Sequence, residues 1–340
     1  MEFKLDVPII QGGMGVGVSL SNLAGNVMKC GGMGTISAAH PGYKEPDFYT
    51  NSKEANCRAI HEEAKKAREI AQGKGMLAIN IMVASKDYAS YVKASIEAKY
   101  DAIISGAGLA ISLPEYVGNT DILLAPIVSS VKALQLICRS WAKRYKRLPD
   151  FVVIESALAG GHLGFKEKEL QSATYQSLDE ILLEVKDYVS TLDKDIPIFV
   201  AGGVFTHEDL VHYQKLGATG AQIGTRFIAT YECDAAQGFK DMVINARKED
   251  IQLVKSPAGL PARAIRNAFV ERSEAGSIPV QRCVGCLKTC NPSTTPYCIT
   301  NALIQAVKGN QEDGLFFVGQ NASRVNKMCS VKELVEELCQ

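Results

Sequence analysis

Phe151-Val-Val-Ile-Glu-Ser-Ala-Leu-Ala-Gly-Gly-His-Leu-Gly164 has the form of a buried strand that opens into a glycine loop. The apolar run Phe151-Val-Val-Ile154 suits a strand covered on both faces. Gly160 and Gly161 then let a ligand approach the backbone closely, and His162 brings an imidazole to the mouth of the sheet or barrel. Histidine is the side chain best placed to move a proton near neutral pH. A lone Gly-Gly-His is also an ordinary turn, so its weight depends on whether the pattern recurs.

It does recur. Short apolar runs at 7–11, 34–38, 77–82, 102–105, 122–127, 151–155, 198–201 and 221–224 predict eight strands. Helical patterns separate them at 51–72, 86–98, 131–145, 177–192 and 206–216, the last opening on a Thr206/Asp209 capping pair. Eight such strands predict an α/β fold of the TIM (β/α)8 barrel type with a C-terminal appendage. A doubly wound open sheet is the second architecture, but it calls for Gly-x-Gly-x-x-Gly after the first strand. The chain has Gly12-Gly-Met-Gly-Val-Gly17 there, with the wrong spacing. The barrel is expected over residues 1–230. Residues 231–340 are expected as a helical and loop appendage: a helix at 234–249, a turn-rich loop at 255–261, a cysteine cluster, and a last helix at 331–338.

The 340 residues are 46% hydrophobic with zero formal net charge, enough apolar material for a large core. The charge balance offers no electrostatic attraction to nucleic acid or to an anionic membrane, so neither is an expected partner. The N-terminus enters an apolar strand at once and resembles no leader peptide, and no apolar run is long enough to span a bilayer. A cytoplasmic location, a small-molecule substrate and, as an allowed assembly, a homodimer are the resulting expectations.

Four glycine loops close predicted strands: Gln11-Gly-Gly-Met14, Ala159-Gly-Gly-His162, Ala201-Gly-Gly-Val204 and Gly224-Thr-Arg226. In a barrel they gather on the C-terminal face, where active sites form. The loops after the seventh and eighth strands are the usual phosphate site. There the backbone N–H groups of Gly202, Gly203 and Gly224, with the Thr225 hydroxyl, can cradle a phosphate. Asn80 is an amide inside the apolar Ala78-Ile-Asn-Ile81 and needs a partner, either a core loop or a ligand ring. No order of Ser, His and Asp and no His-Glu-x-x-His is present to support a hydrolase.

Pro8-Ile-Ile-Gln-Gly-Gly-Met14, Ala78-Ile-Asn80, Ala159-Gly-Gly-His-Leu-Gly164, Ala201-Gly-Gly203, Gly224-Thr-Arg-Phe227 and Gly259-Leu-Pro-Ala-Arg263 occur in that order. Together they resemble the nitronate monooxygenase family, formerly 2-nitropropane dioxygenases, which also contains FMN-dependent enoyl-acyl-carrier-protein (enoyl-ACP) reductases. The resemblance implies an FMN oxidoreductase. It sets Gly12, Gly13, Met14 and Asn80 at the flavin ring and Gly202, Gly203, Gly224 and Thr225 at the phosphate. It counts Glu155, Gly160 and Gly161 as further cofactor contacts and makes His162 the catalytic proton carrier. The implied activity is oxidation of nitronates or nitroalkanes with O2. The alternative is an enoyl-thioester or quinone reductase drawing on NAD(P)H. The chain departs from many relatives in having Leu158 for a glutamate and Ala125-Pro-Ile127 for a lysine-bearing strand.

Cys283-Val-Gly-Cys286-Leu-Lys-Thr-Cys290, with Cys298 beyond it, has spacings suited to an iron–sulfur cluster or zinc, and is similar to a run in dienoyl-CoA reductases. The plainer reading is reduced cysteines packed in a small appendage. His40, before Pro41-Gly42, is expected to begin a turn rather than line a pocket.

Overall fold

The computed structural model describes residues 3–340. Along the chain run β1 (Ile9–Gln11), α1 (Ser21–Lys29), β2 (Met33–Ser37), α2 (Ser52–Ala71), β3 (Met76–Met82), α3 (Tyr88–Glu97), β4 (Ala102–Gly106), α4 (Leu113–Val117), β5 (Leu123–Val128), α5 (Val131–Tyr145) and β6 (Val152–Glu155). Next come β7 (Gly161–His162), α6 (Glu167–Gln171), α7 (Leu178–Val189), β8 (Ile198–Ala201), α8 (His207–Leu216), β9 (Gly220–Ile223), α9 (Thr225–Ile228) and α10 (Gln237–Ile244). The chain ends with β10 (Ile251–Lys255), β11 (Pro261–Ile265), α11 (Ala268–Ala275), α12 (Ile299–Val307) and α13 (Val331–Cys339).

Eight parallel strands close a barrel in the order β1-β2-β3-β4-β5-β6-β8-β9, with Ile9, Ile10 and Gln11 pairing Ala221, Gln222 and Ile223 to seal it. This is the TIM barrel expected from the strand count. Strand alternation divides the core in two. Ile10, Met33, Ala78, Ile104, Ala125, Val153 and Phe199 point inward and fill the barrel. Ile9, Ile36, Leu77, Ile79, Ile103, Leu124, Val152, Ile154 and Val200 point outward into the helical layer. Side chains that alternate in direction at period two, with both sides buried, explain why these strands read as continuous apolar runs. Phe3 packs at 5.0 Å from Phe151 and 5.7 Å from Phe199, adding to the inner cluster.

The capping pair at Thr206 and Asp209 is formed, and reciprocal caps also start α7 at Ser177 and α13 at Ser330. Two expectations fail. The segment 234–249 is not one helix: α10 ends at Ile244, and a 3-10 turn over Lys248–Asp250 leads into β10. Nor is the chain beyond Asp250 only loop before the cysteine cluster. β10 and β11 form an antiparallel hairpin whose tip is the turn-rich 255–261 segment, and β11 also pairs with the two-residue β7. That three-stranded sheet joins the C-terminal segment directly to the loop after β6, because Arg263 stands opposite Gly161 and Ala262 opposite His162. α1, absent from the expected helices, lacks a cap of its own. Asp234, far along the chain, accepts the N–H groups of Leu20, Asn22 and Leu23 instead.

Candidate active site

The loops at the C-terminal ends of the barrel strands surround one cavity of about 270 Å³. Gly12, Gly13, Met14, Asn80, Glu155, Gly160, Gly161, His162, Gly202, Gly203, Gly224 and Thr225 all line it, so the structure brings the expected cofactor and catalytic residues together. Chain distant in sequence closes the cavity from above, notably Leu315, Phe317 and Gly319.

Asn80 packs directly on the first-strand loop. A Cβ at Gly13 would lie 2.3 Å from Asn80 Cβ, so only glycine fits there. Asn80 Nδ2 donates to Ile104 O at 3.3 Å, which holds the amide upright while its oxygen has no protein donor among the described residues. The phosphate-type corner lies between β8 and β9. Gly202 and Gly203 adopt φ of 79° and 117°, a conformation that favours glycine. The N–H groups of Gly202, Gly203, Gly224 and Thr225 donate to no protein acceptor among the described residues. Thr225 Oγ1 accepts the Gly319 N–H at 2.8 Å and keeps its own hydrogen free to donate. A cluster of unsatisfied amides in a concave site calls for an anion.

His162 is half-buried, and its exposure is to the cavity. Its Nε2 lies 2.7 Å from Ser256 Oγ on the β10–β11 turn, and its ring meets Phe317 edge-on at 5.3 Å. Burial lowers its pKa to about 4, so at neutral pH the imidazole is uncharged and keeps a lone pair for a proton. Glu155, at the end of β6, shows the opposite shift from the same cause: burial raises its pKa to about 8. At neutral pH it is mostly protonated and can donate a hydrogen bond.

Some functional features were not visible in the sequence. Arg263, 5% exposed, donates from Nη1 to Ala157 O at 2.7 Å and Ala159 O at 2.6 Å. It has no carboxylate partner among the described residues; it clamps the loop that carries Gly160, Gly161 and His162. Only glycine fits at position 160, beside residues 318–319, since a Cβ there would lie 2.5 Å from Val318 C. The motif Gly259-Leu-Pro-Ala-Arg263 was a signal for this region, but its target could not be seen from spacing. His40 is also corrected: it does open a turn, yet it is 8% exposed and lines the cavity.

The expected iron–sulfur or zinc site is not shown by the structure. Among the described residues no three His, Cys, Asp or Glu side chains are arranged to hold a metal ion. Cys283, Cys286, Cys290 and Cys298 lie in one neighbourhood, and all are free thiols. They are engaged separately: Cys283 Sγ accepts the Gly285 N–H at 3.3 Å, Cys298 Sγ donates to Arg282 O at 3.8 Å, and Cys286 turns to Thr300 and the cavity. Burial, with the neighbouring thiols, pushes the Cys286 thiol up to about 11.

A family model for nitronate monooxygenase matches residues 2–340. A probable nitronate monooxygenase of Staphylococcus aureus (strain Newman) is 26% identical over 310 residues, covering 81% of this chain and 80% of that protein. One of Bacillus subtilis (strain 168) is 28% identical over 198 residues, covering 56% of this chain and about half, 51%, of its own length. Among solved structures, FabK from Thermotoga maritima superposes with a TM-score of 0.74 at 24% identity, covering 98% of this chain and 92% of that one. A nitroalkane oxidase from Streptomyces ansochromogenes gives 0.73 at 19% identity, covering 98% and 95%. These two are likenesses of fold. No described helix is long and apolar enough to cross a membrane.

Proposed function

With the chain a member of the nitronate monooxygenase family, and hence a flavin-dependent oxidoreductase, we propose that its cofactor is FMN and that it oxidises nitronates or nitroalkanes with O2. One observation carries this reading: unsatisfied amides of the β8 and β9 loops and a neutral histidine from the β6 loop share one cavity. Gly202, Gly203, Gly224 and Thr225 would hold the FMN phosphate. Gly12, Gly13, Met14 and Asn80 would border its ring, and Glu155, Gly160 and Gly161 would flank it. When bound, FMN would supply the redox chemistry, taking electrons from the substrate with O2 as the final acceptor.

The chain's own residues bind, orient and move the proton. The Asn80 amide is anchored at Nδ2, so its oxygen would be left to accept a hydrogen bond from the cofactor. Protonated Glu155 would supply a hydrogen-bond donor to the cofactor without adding a negative charge to the site. His162, uncharged, takes the acidic α-proton of a neutral nitroalkane. Ser256 and Phe317 hold the imidazole in place for that transfer. In this reading residues 1–230 bind the cofactor and 231–340 cover the cavity.

Purified protein supplied with FMN should show flavin absorbance that survives gel filtration and should consume O2 with propyl-2-nitronate. Protein that takes up no FMN removes the reading. The enoyl-thioester or quinone reductase alternative uses the same cavity, and it is separated by rapid-mixing reduction of the flavin. Bleaching by NADH or NADPH and not by the nitronate selects the reductase.

A further inference from the structure

The cavity has a second polar wall, on the opposite side of the barrel from His162. β2 and β6 stand four places apart in the eight-strand order, so the loop after β2 faces the loop after β6 across the barrel mouth. His40 lies in that loop, and Tyr91 stands beside it on α3. Both are more than nine-tenths buried and both line the cavity.

Asn56, fully buried on α2, sets the hydrogens of both groups. Its Oδ1 accepts the Gly42 N–H at 3.1 Å. A backbone N–H can only donate, so this contact fixes which end of the amide is oxygen. The two Asn56 Nδ2 hydrogens therefore go the other way, one to His40 Nδ1 at 3.0 Å and one to Tyr91 Oη at 2.9 Å. His40 Nδ1 is thus an acceptor, and the single proton of the neutral ring sits on Nε2. Burial lowers the His40 pKa to about 4, which keeps the ring in that neutral form. Tyr91 Oη, having accepted from Asn56, has its hydrogen left to donate. Neither His40 Nε2–H nor the Tyr91 hydroxyl hydrogen meets a protein acceptor among the described residues. The His40 ring is held edge-on to Phe48 at 5.4 Å, and its backbone sits at φ 54° ahead of Pro41. A buried, oriented donor without an acceptor in a ligand cavity marks where a ligand oxygen belongs.

We infer that His40 Nε2–H and Tyr91 Oη–H form a donor pair that receives a nitronate oxygen of the substrate, and that Asn56 is the positioning residue that sets both donors. The pair would orient the substrate from the side opposite His162 and select ligands that present an acceptor there. This inference rests on the proposed oxidation of nitronates.

The test uses FMN-loaded protein with propyl-2-nitronate as the probe, measuring KM, kcat and FMN affinity for wild type, His40→Phe, His40→Gln and Tyr91→Phe. Loss of one hydrogen bond to the anionic nitronate should raise KM about 10- to 100-fold in His40→Phe and Tyr91→Phe. kcat should stay within about twofold and FMN affinity should be unchanged. His40→Gln keeps an N–H at the reach of Nε2 and should stay close to wild type, which separates the donor from a packing role. Tyr91→Phe preserves shape and gives a second reading if His40→Phe folds poorly. Unchanged KM in both phenylalanine variants overturns the inference alone, as does a loss of FMN affinity that makes His40 a cofactor contact. A wild type that binds FMN but leaves the nitronate untouched overturns the functional reading, and with it this ligand.

Discussion

Replacing Arg263 by methionine tests whether the C-terminal sheet holds the catalytic loop. The guanidinium is 5% exposed and donates to Ala157 O and Ala159 O. Methionine preserves much of the volume and removes both donors. Hydrogen bonds from a charged group contribute about 1.5–3 kcal/mol each. Against their loss stands the relief of a buried guanidinium that has no carboxylate partner among the described residues, a penalty visible in the direction its pKa is pushed, downward, by burial. The two carbonyls must then find water or remain unpaired, and the cavity beside them admits water. The net expectation is about 2–4 kcal/mol of destabilisation by urea denaturation. A separate readout tests position: amides of residues 157–163 should exchange hydrogen faster in the variant than in wild type, while the β1–β5 strands should not. kcat should fall with them, because His162 moves with the released segment. A variant destabilised by less than about 0.5 kcal/mol, with unchanged exchange in the loop, would refute the clamp.

The same geometry sets further outcomes. With His162 held near pKa 4, kcat/KM for a neutral nitroalkane should stay flat from pH 8 down to about 5 and fall only below that; an inflection near 6.5 would contradict the burial argument. The same shift makes stability pH-dependent. The unfolded histidines protonate below about 6.5 while folded His40 and His162 resist until about 4. Their contribution is therefore complete above 6.5 and lost as pH falls toward 4, by up to about 3 kcal/mol per histidine, as pH-stepped denaturation would show. Thr225→Val removes a hydroxyl donor from the anion corner and should weaken FMN binding about 10- to 100-fold, whereas Thr225→Ser should bind almost normally, both read by fluorescence titration. Asp234→Ala uncaps α1 from across the chain and should cost about 1–2 kcal/mol with FMN affinity unchanged; a neutral result would mean that water replaces the cap.

The barrel was legible in the sequence because its physics is local. An inward residue such as Ile104 and an outward one such as Ile103 are both buried, so each strand reads as an apolar run, and its glycine loop marks where it ends. Glycines at the mouth are equally legible, since close approach and positive φ exclude a side chain whatever the distant partner is, as at Gly13 and Gly202. Features that depend on a meeting of distant segments could not be read. Arg263 looks like a surface cation until β11 pairs with β7 and buries it under Ala157 and Ala159. α1 carries no start signal of its own because its cap, Asp234, is supplied from beyond β9. His40 reads as a turn residue because Pro41-Gly42 says so, and that is locally true; its orientation comes from Asn56 on the next helix, sixteen positions on. The cysteine run is a like case: spacing fixes how far apart four thiols stand along the chain, whereas their contacts, to Thr300, Arg282 O and the Gly285 N–H, are set by the fold. The glycine loops serve close approach and positive φ, whereas the His40, Asn56 and Tyr91 wall presents oriented donors to the cavity, which makes it the better place to look for substrate selection.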